Sequence, residues 1–512
     1  MNKKHQWLLI IILFLTIASI FHFSSPNLAD NDSFFYIRRA WQLRTQSFFD
    51  MSFPWTYHSA IRIYSSALWF GFAVFLIPFT LFNNLFLGLK LAGILLTAFA
   101  LLAYYIVIKR HQLKLALLWP FLLLFSAPNV LYRFLMVRSQ LISVGLSVLL
   151  FSLLISGSVW LVFFASAGIV WFHMNFAWLP VLILGVVVGT RFFIEKTIDW
   201  KKIGAVMGGM LAGWLLRPEA INAVKLFYIQ IFQSMFEKSG GAPLLFGQEH
   251  FPLQFITLLR NFSLVTILWT LTIIVFVFVI RRRQQLPQKA LIWSSFALSV
   301  LFFLLTMLVS RRAYDLWLPF NLLFVASIFT YAIPAFSFRW KQTLNQAGIT
   351  LIATILVITS FYSIYKTAAS LMNSAYPPER HKEAALWLKD NSNPGDIVFN
   401  VSWSRFSELF FWNQQNYYVG GLDPIFQYAY NPSLYWKYHY LATGLLTDRT
   451  CGADACTEEM LEDTYEVLKR DFDAKYVFLS KELKPELNQY LESDSRFKKT
   501  FDNGSETIFF LK

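Results

Sequence analysis

Apolar stretches long enough to enter a bilayer recur through the first 375 residues, and nothing constrains the fold of this chain more. They lie at roughly 7–23, 86–108, 113–128, 138–156, 158–173, 176–193, 203–216, 261–280, 289–309, 316–336 and 345–366, about eleven in all. In hydrocarbon a segment must satisfy its own backbone polar groups, so repeated apolar spans predict a helical bundle. The 512-residue chain is 56% hydrophobic and only 14% charged, which excludes an ordinary water-soluble protein. Residues 7–23 have the length of a signal peptide's apolar region. No small-residue cleavage site follows, so this span reads as a retained anchor.

Charge divides the chain. Residues 1–375 carry 29 Lys and Arg against 9 Asp and Glu, whereas residues 376–512 carry 15 against 21. The sequence therefore predicts a polytopic α-helical membrane domain at 1–375 and a soluble, acidic α/β domain at 376–512. The first has a loop at 24–85 and a long loop at 217–260. In the second, helices are expected at 379–390, 404–412, 432–441, 457–470 and 484–492. Strands are expected at 396–401, 417–419 and 476–479, with a closing hairpin at 497–511. The basic residues lie between apolar spans rather than in one tract, so no nucleic-acid partner is implied.

Five basic groups fix an orientation: Lys3-Lys4, Lys109-Arg110-Lys114, Lys196-Lys201-Lys202, Arg281-Arg282-Arg283 and Arg339-Lys341. They share one side of the membrane only if the apolar stretch 65–82 does not cross. That stretch is then an interfacial or re-entrant helix. The N-terminus becomes cytoplasmic, and the loops 24–85 and 217–260 become external together with the C-terminal domain.

On that external side the membrane half holds Arg38, Arg39, Arg44, Arg62, Arg133, Arg138, Arg217, Arg260, Arg311 and Arg312, but only Lys225 and Lys238. Topology is indifferent to Lys or Arg. A set of ten arginines to two lysines asks for geometry, and a guanidinium fork grips phosphate bidentately where an ammonium cannot. The bland alternative is contact with lipid headgroups at helix ends. Arg38, Arg133, Arg138, Arg217, Arg311 and Arg312 are the candidate phosphate ligands.

Acids are scarce here, and two of the nine before residue 376 fall in Asp30-Asn31-Asp32, just past the first span. Either can cap the helix that follows. Capping needs one acid, so the pair also reads as a general base, Asp30 or Asp32. Together they could hold a divalent cation such as Mg or Mn, although two carboxylates are a thin ligand set. Further candidates for the acceptor side are Glu249 and His250 in the long loop, beside Gly240-Gly241 and Pro243, and His173 and Asn175 at a helix junction. Ser310-Arg311-Arg312-Ala313-Tyr314-Asp315 allows Asp315 to pair with a nearby arginine. Cys451 and Cys456, the only cysteines, predict a disulfide in an external domain, the alternative being a metal pair. Trp403, Trp412, Tyr417, Tyr418, Tyr428, Tyr430, Tyr435 and Trp436 crowd one segment. They read as core or docking contacts, or as a carbohydrate platform.

This layout resembles the GT-C superfamily of membrane glycosyltransferases, which includes the oligosaccharyltransferase catalytic subunit, protein O-mannosyltransferases and aminoarabinose transferases. The resemblance spans the chain and rests on Asp30-Asn31-Asp32 with Tyr36 and Arg38. Phe53-Pro54-Trp55, Ser310-Arg311-Arg312 with Leu318-Pro319-Phe320, and Leu409 to Asn413 through Gly421-Leu422-Asp423-Pro424 resemble a group of bacterial membrane proteins. It implies a multi-pass protein of the bacterial inner membrane that transfers a sugar from a polyprenyl-phosphate or -pyrophosphate donor to a protein, glycan or lipid acceptor. The Trp-Trp-Asp-Tyr-Gly motif of oligosaccharyltransferases is absent, which speaks against transfer to an Asn sequon. Where the bacterial group carries acidic and histidine residues, Tyr64–Gly71 has Ser65, Ser66, Trp69 and Gly71, which weakens a metal site. A flippase for lipid-linked sugars lacks support from broken, repeated helices. A non-catalytic scaffold with a partner-binding external domain is the remaining alternative.

Overall fold

The structure is a computed structural model that describes residues 3–239, 244–283, 286–331 and 342–512. Gly240, Gly241 and Pro243, and the basic pair Arg339 and Lys341, lie outside the described residues. The chain forms two compact units. One comprises Met1–Asp30, Asn84–Leu216 and Gly247–Tyr376; the other comprises Asn31–Asn83, Arg217–Phe246 and Pro377–Lys512. The domain boundary expected at 375/376 falls at 376/377. Most of the first loop and part of the long loop group with the C-terminal segment rather than with the helices they connect.

The first unit is helical. Among the described residues eight helices are long and apolar enough to cross a membrane: Lys4–His22, Leu85–Arg110, Ser139–Ser156, Met174–Glu195, Ser263–Arg281, Lys289–Leu308, Arg311–Tyr331 and Thr354–Asn373. Against the roughly eleven spans expected, these eight are the candidates among the described residues, and three of the expected stretches form shorter helices. Val159–Phe172 and Trp200–Leu215 have 14 and 16 residues. The stretch 113–128 yields only the eight-residue helix Leu118–Phe125, because the chain restarts at Pro128, which opens the helix Pro128–Phe134. Val159–Phe172 and Trp200–Leu215 pack backbone against backbone. A Cβ on Gly209 or Gly213 would collide with the carbonyls of Phe163 and Ala167, the small-xxx-small device of membrane helix pairs.

The connection after the first helix is fastened at several points. Leu28 and Tyr376 exchange two backbone hydrogen bonds of 2.9 Å. Asn27 Nδ2 donates to the Leu371 carbonyl at 3.0 Å. Ala29 is buried against Leu135, Leu371 and Ala375. This pins the backbone immediately before Asp30.

The second unit contains five strands in the order β2-β1-β5-β7-β6. β1 (Ile397–Asn400) is parallel to β2 (Tyr417–Tyr418) and to β5 (Ala474–Ser480). β6 (Phe497–Asp502) and β7 (Glu506–Leu511) form the closing hairpin, with β7 antiparallel to β5. β3 (Arg449–Thr450) and β4 (Glu462–Asp463) form a separate ladder. Residues 55–57 extend the sheet beyond β2: Tyr418 donates to the Trp55 carbonyl at 2.8 Å, and Tyr57 donates to Tyr418 at 2.9 Å. The helix Asp32–Thr45 sets Phe34 edge-on against Phe411 and Phe35 against Phe410. These contacts bring the first loop into the unit. The stretch 65–82 forms the helix Phe70–Leu76 and the 3-10 turn Ile77–Leu81, too short to cross a bilayer. Cys451 and Cys456 are joined in a disulfide.

Candidate functional site

Charged side chains in a bilayer-embedded bundle are confined to helix ends, where they reach water or one another. In the first unit several such ends converge. Asp30 lies beyond the first helix. Arg133 sits in the last turn of Pro128–Phe134, and Arg138 in extended conformation just before Ser139–Ser156. Glu249 lies in the 3-10 turn Gln248–His250. Arg311 and Arg312 occupy the turn Arg311–Ala313, and Asp315 the first turn of Tyr314–Tyr331, where an acid complements the helix dipole.

Arg138 holds Asp30 with a two-pronged fork. Its Nε donates to Oδ2 at 2.8 Å, and its Nη2 pairs with Oδ1. Arg133 pairs with Asp315 at 2.7 Å and Glu249 at 3.1 Å, and donates to Gln140 Oε1 at 2.6 Å. Gln140 in turn donates to Asp315. Glu249 bridges three guanidiniums, meeting Arg133, Arg138 at 3.5 Å and Arg312. Ser310 Oγ donates to the Glu249 carbonyl at 2.9 Å and accepts from the Arg312 amide, fixing both turns. Asp30 is 2% exposed, and the Arg138 fork is one compensation for burying a carboxylate there.

The cluster sets Arg133, Arg138 and Arg312 against Asp30, Glu249 and Asp315, with Arg311 in the adjoining turn. Guanidinium forks of this kind suit an oxyanion. The cavity beside it, bounded by Arg133, Arg138, Gln140 and Asp315 with Leu123, Phe134 and Leu318, has about 20 Å³, room for a water molecule. Anything larger must displace a side chain, and Glu249, with 29% of its side chain exposed, is the least enclosed acid of the three.

The other expected residues lie elsewhere. Arg38 and Arg217 belong to the second unit. Arg38 stacks over Phe411 and Trp41, with ring centroids 4.6 and 5.1 Å away, and burial lowers its pKa to about 10. Arg217 donates to the Ala67 carbonyl at 3.2 Å and is lowered to about 10 in the same way. His173 meets Ser143 Oγ at 3.3 Å and the ring of Phe176. Asn175 is buried in the turn Met174–Phe176, and His250 ends the turn that carries Glu249.

Asp32 opens the helix Asp32–Thr45 in the second unit. Asn31 stands at the N-cap with no side-chain cap hydrogen bond, and its Nδ2 donates to the Ser404 carbonyl at 2.8 Å. The charge of Asp32 acts on Glu408, an acid that sequence reasoning missed. Glu408 is fully buried in Phe406–Trp412. Its oxygens have no hydrogen-bond partner, and Arg380 is 4.0 Å away. Burial raises its pKa to about 7, and Asp32 adds to the rise. Its only sequence signal is an acid inside an aromatic run.

Among the described residues no three His, Cys, Asp or Glu are grouped to hold a metal. Both Asp30 oxygens accept from Arg138, and a cation there would face Arg133 and Arg138. The residues do not fit a resident Mg or Mn ion.

The fold is shared with solved oligosaccharyltransferase and ArnT structures, and the chain is a multi-pass membrane protein. It superposes on the apo oligosaccharyltransferase of Archaeoglobus fulgidus with a TM-score of 0.63 and 12% identity, over 96% of this chain and 71% of that one. The oligosaccharyltransferase AglB of the same organism, in complex with an inhibitory peptide and a dolichol-phosphate, gives 0.62 and 11%, over 100% and 74%. ArnT from Cupriavidus metallidurans, bound to undecaprenyl phosphate, gives 0.53 and 11%, over 98% of both chains. At such identities the likeness is one of fold. No protein-family model and no curated protein matches the sequence.

Proposed function

We propose that this chain transfers a sugar from a polyprenyl-phosphate or -pyrophosphate donor to an acceptor at the external face of a bacterial inner membrane. The observation that carries this reading is Asp30 held by Arg138 within a cluster of Arg133, Arg138 and Arg312 at converging helix ends. Solved proteins of this fold hold dolichol-phosphate or undecaprenyl phosphate, which supports a lipid-phosphate donor.

In the proposed step the acceptor's nucleophilic atom attacks the anomeric carbon of the donor sugar. The bond from that carbon to the phosphate oxygen breaks, and the phosphate leaves with the electron pair. Arg133, Arg138 and Arg312 stabilise the departing anion. Asp30 takes the acceptor proton. Glu249 now bridges the three guanidiniums that a phosphate would engage, so donor entry would displace it. Arg138 would then turn from Asp30 to the phosphate, freeing the carboxylate as a base only once donor is present. The N-terminus is assigned to the cytoplasm and the Pro377–Lys512 segment to the outside, from the distribution of basic residues.

The test is a deletion strain complemented with wild type, Asp30→Asn or Asp32→Asn, with lipid-linked sugars and glycoconjugates profiled by mass spectrometry. Asn keeps the shape of Asp but offers only one acceptor oxygen to the Arg138 fork and does not accept a proton at neutral pH. The expected outcome is accumulation of one lipid-linked sugar in the deletion strain. Wild type clears it, and Asp30→Asn fails at least about 100-fold in rate. Full function of Asp30→Asn would remove Asp30 as the base. An unchanged profile in the deletion strain would refute lipid-linked sugar transfer.

A further inference from the structure

The second unit holds a cavity of about 390 Å³, inside the roughly 300–1,000 Å³ range of small-molecule sites. Its position follows from topology. β1 and β5 are parallel neighbours. The chain leaves β1 toward β2 on one side, and leaves β5 through the helix Pro485–Ser493 toward β6 and β7 on the other. Adjacent parallel strands whose connections diverge open a crevice beyond their carboxyl ends, where α/β sheets bind ligands. The cavity is lined by Val401–Arg405, which follow β1, and by the end of β5 with Leu483 and Lys484.

The lining chemistry is selective. Ser402, Ser404 and Ser480 bring hydroxyls, and Ser402 Oγ lies 3.0 Å from Ser404 Oγ. Trp403 brings an indole. Lys484 and Arg405, whose charge also acts on the buried Glu408, bring positive charge, and no carboxylate occurs among the described lining residues. That is notable in a segment where acids outnumber bases by 21 to 15 over residues 376–512. Hydroxyl partners, an aromatic surface and two cations suit a ligand with hydroxyls, an apolar face and a negative charge.

We propose that this cavity binds an acidic saccharide, one bearing a carboxylate or a phosphate. Arg405 and Lys484 meet its charge, the serines its hydroxyls and Trp403 its apolar face. The site does not depend on the transferase reading, because no residue of the Asp30 cluster lines it.

The test is isothermal titration calorimetry on the full chain in nanodiscs, with glucuronic acid, glucose 6-phosphate and neutral glucose at matched ionic strength. Saturable binding of glucuronic acid or glucose 6-phosphate is expected, with glucose at least tenfold weaker (~1.4 kcal/mol). Which of the two binds better tells carboxylate from phosphate. Arg405→Gln and Lys484→Gln should each weaken binding roughly tenfold or more. Hydrogen exchange on the wild type, which needs no variant to fold, should show protection in 401–405 and 479–484 on ligand addition. Absence of binding by both acidic sugars up to ~10 mM, equal binding of glucose, unchanged affinity in both variants, or protection confined to other segments would each overturn the proposal.

Discussion

Asp30 and Glu408 are both buried carboxylates, one in each unit, and they are solvated in opposite ways. Asp30 has both oxygens in the Arg138 fork. Glu408 has Arg380 at 4.0 Å and no hydrogen bond to either oxygen. Burying a charge is costly unless a partner restores what water supplied. In the first unit a guanidinium restores it, and the acid is held as part of an ion cluster. In the second unit the partner is too distant, and burial shifts the equilibrium of Glu408 toward its neutral form. The same residue chemistry therefore yields an acid held in a guanidinium fork in one place and a group titrating near neutrality in the other.

The largest stability effect should come from breaking the better-solvated pair. Arg138→Met would leave Asp30 buried without its fork and should destabilise the helical unit by roughly 3–5 kcal/mol. Arg138→Met with Asp30→Asn should recover much of that loss, since no uncompensated charge remains. Chemical denaturation of both variants in detergent measures the difference. A single variant as stable as wild type would mean that Asp30 finds other compensation.

Glu408 should respond with the opposite sign. Its folded pKa, about 7, lies above the ordinary carboxyl value of 4.5. The associated stability is complete below about pH 4.5 and is lost as pH rises through 7. Glu408→Gln keeps the shape without the charge. It should therefore stabilise the protein at pH 8 by on the order of 3 kcal/mol, with the advantage vanishing near pH 4.5. A pH-independent difference between the two proteins would show that Glu408 does not titrate in this range.

The disulfide should matter least. Cys451 and Cys456 are five residues apart, and a loop that short constrains the unfolded chain by only about 2 kcal/mol. Cys451→Ser with Cys456→Ser should lower stability by about that much without preventing folding. Failure of the double variant to fold would assign the bridge a larger role.

Much of the architecture was legible because it is local. The strand and helix order of 396–412 and 474–511 follows from apolar runs and turn residues, and the long spans follow from length. What escaped was non-local or locally contradictory. The sequence 457–470 reads as one helix, but Glu462-Asp463 pairs with Arg449-Thr450, and Asp463 caps the short helix Thr464–Glu466. The helix Pro424–Tyr430, capped by Asp423, was hidden in an aromatic stretch. The grouping of Asn31–Asn83 with the C-terminal segment depends on residues 55–57 joining Tyr418, a pairing with no local signature. The arginine excess pointed to Arg133, Arg138 and Arg312. It could not separate them from Arg38 and Arg217, since that distinction depends on partners far away in the chain.

The central claim is that the arginines around Asp30 receive a lipid phosphate. The most direct measurement is binding of undecaprenyl phosphate to the full chain in nanodiscs, compared with Arg133→Lys, Arg138→Lys and Arg312→Lys. Lys keeps the charge and loses the fork. The account predicts saturable binding by wild type and a weakening of about tenfold or more in at least one variant that remains folded. No saturable binding by wild type, or identical affinity in all three variants, would contradict it.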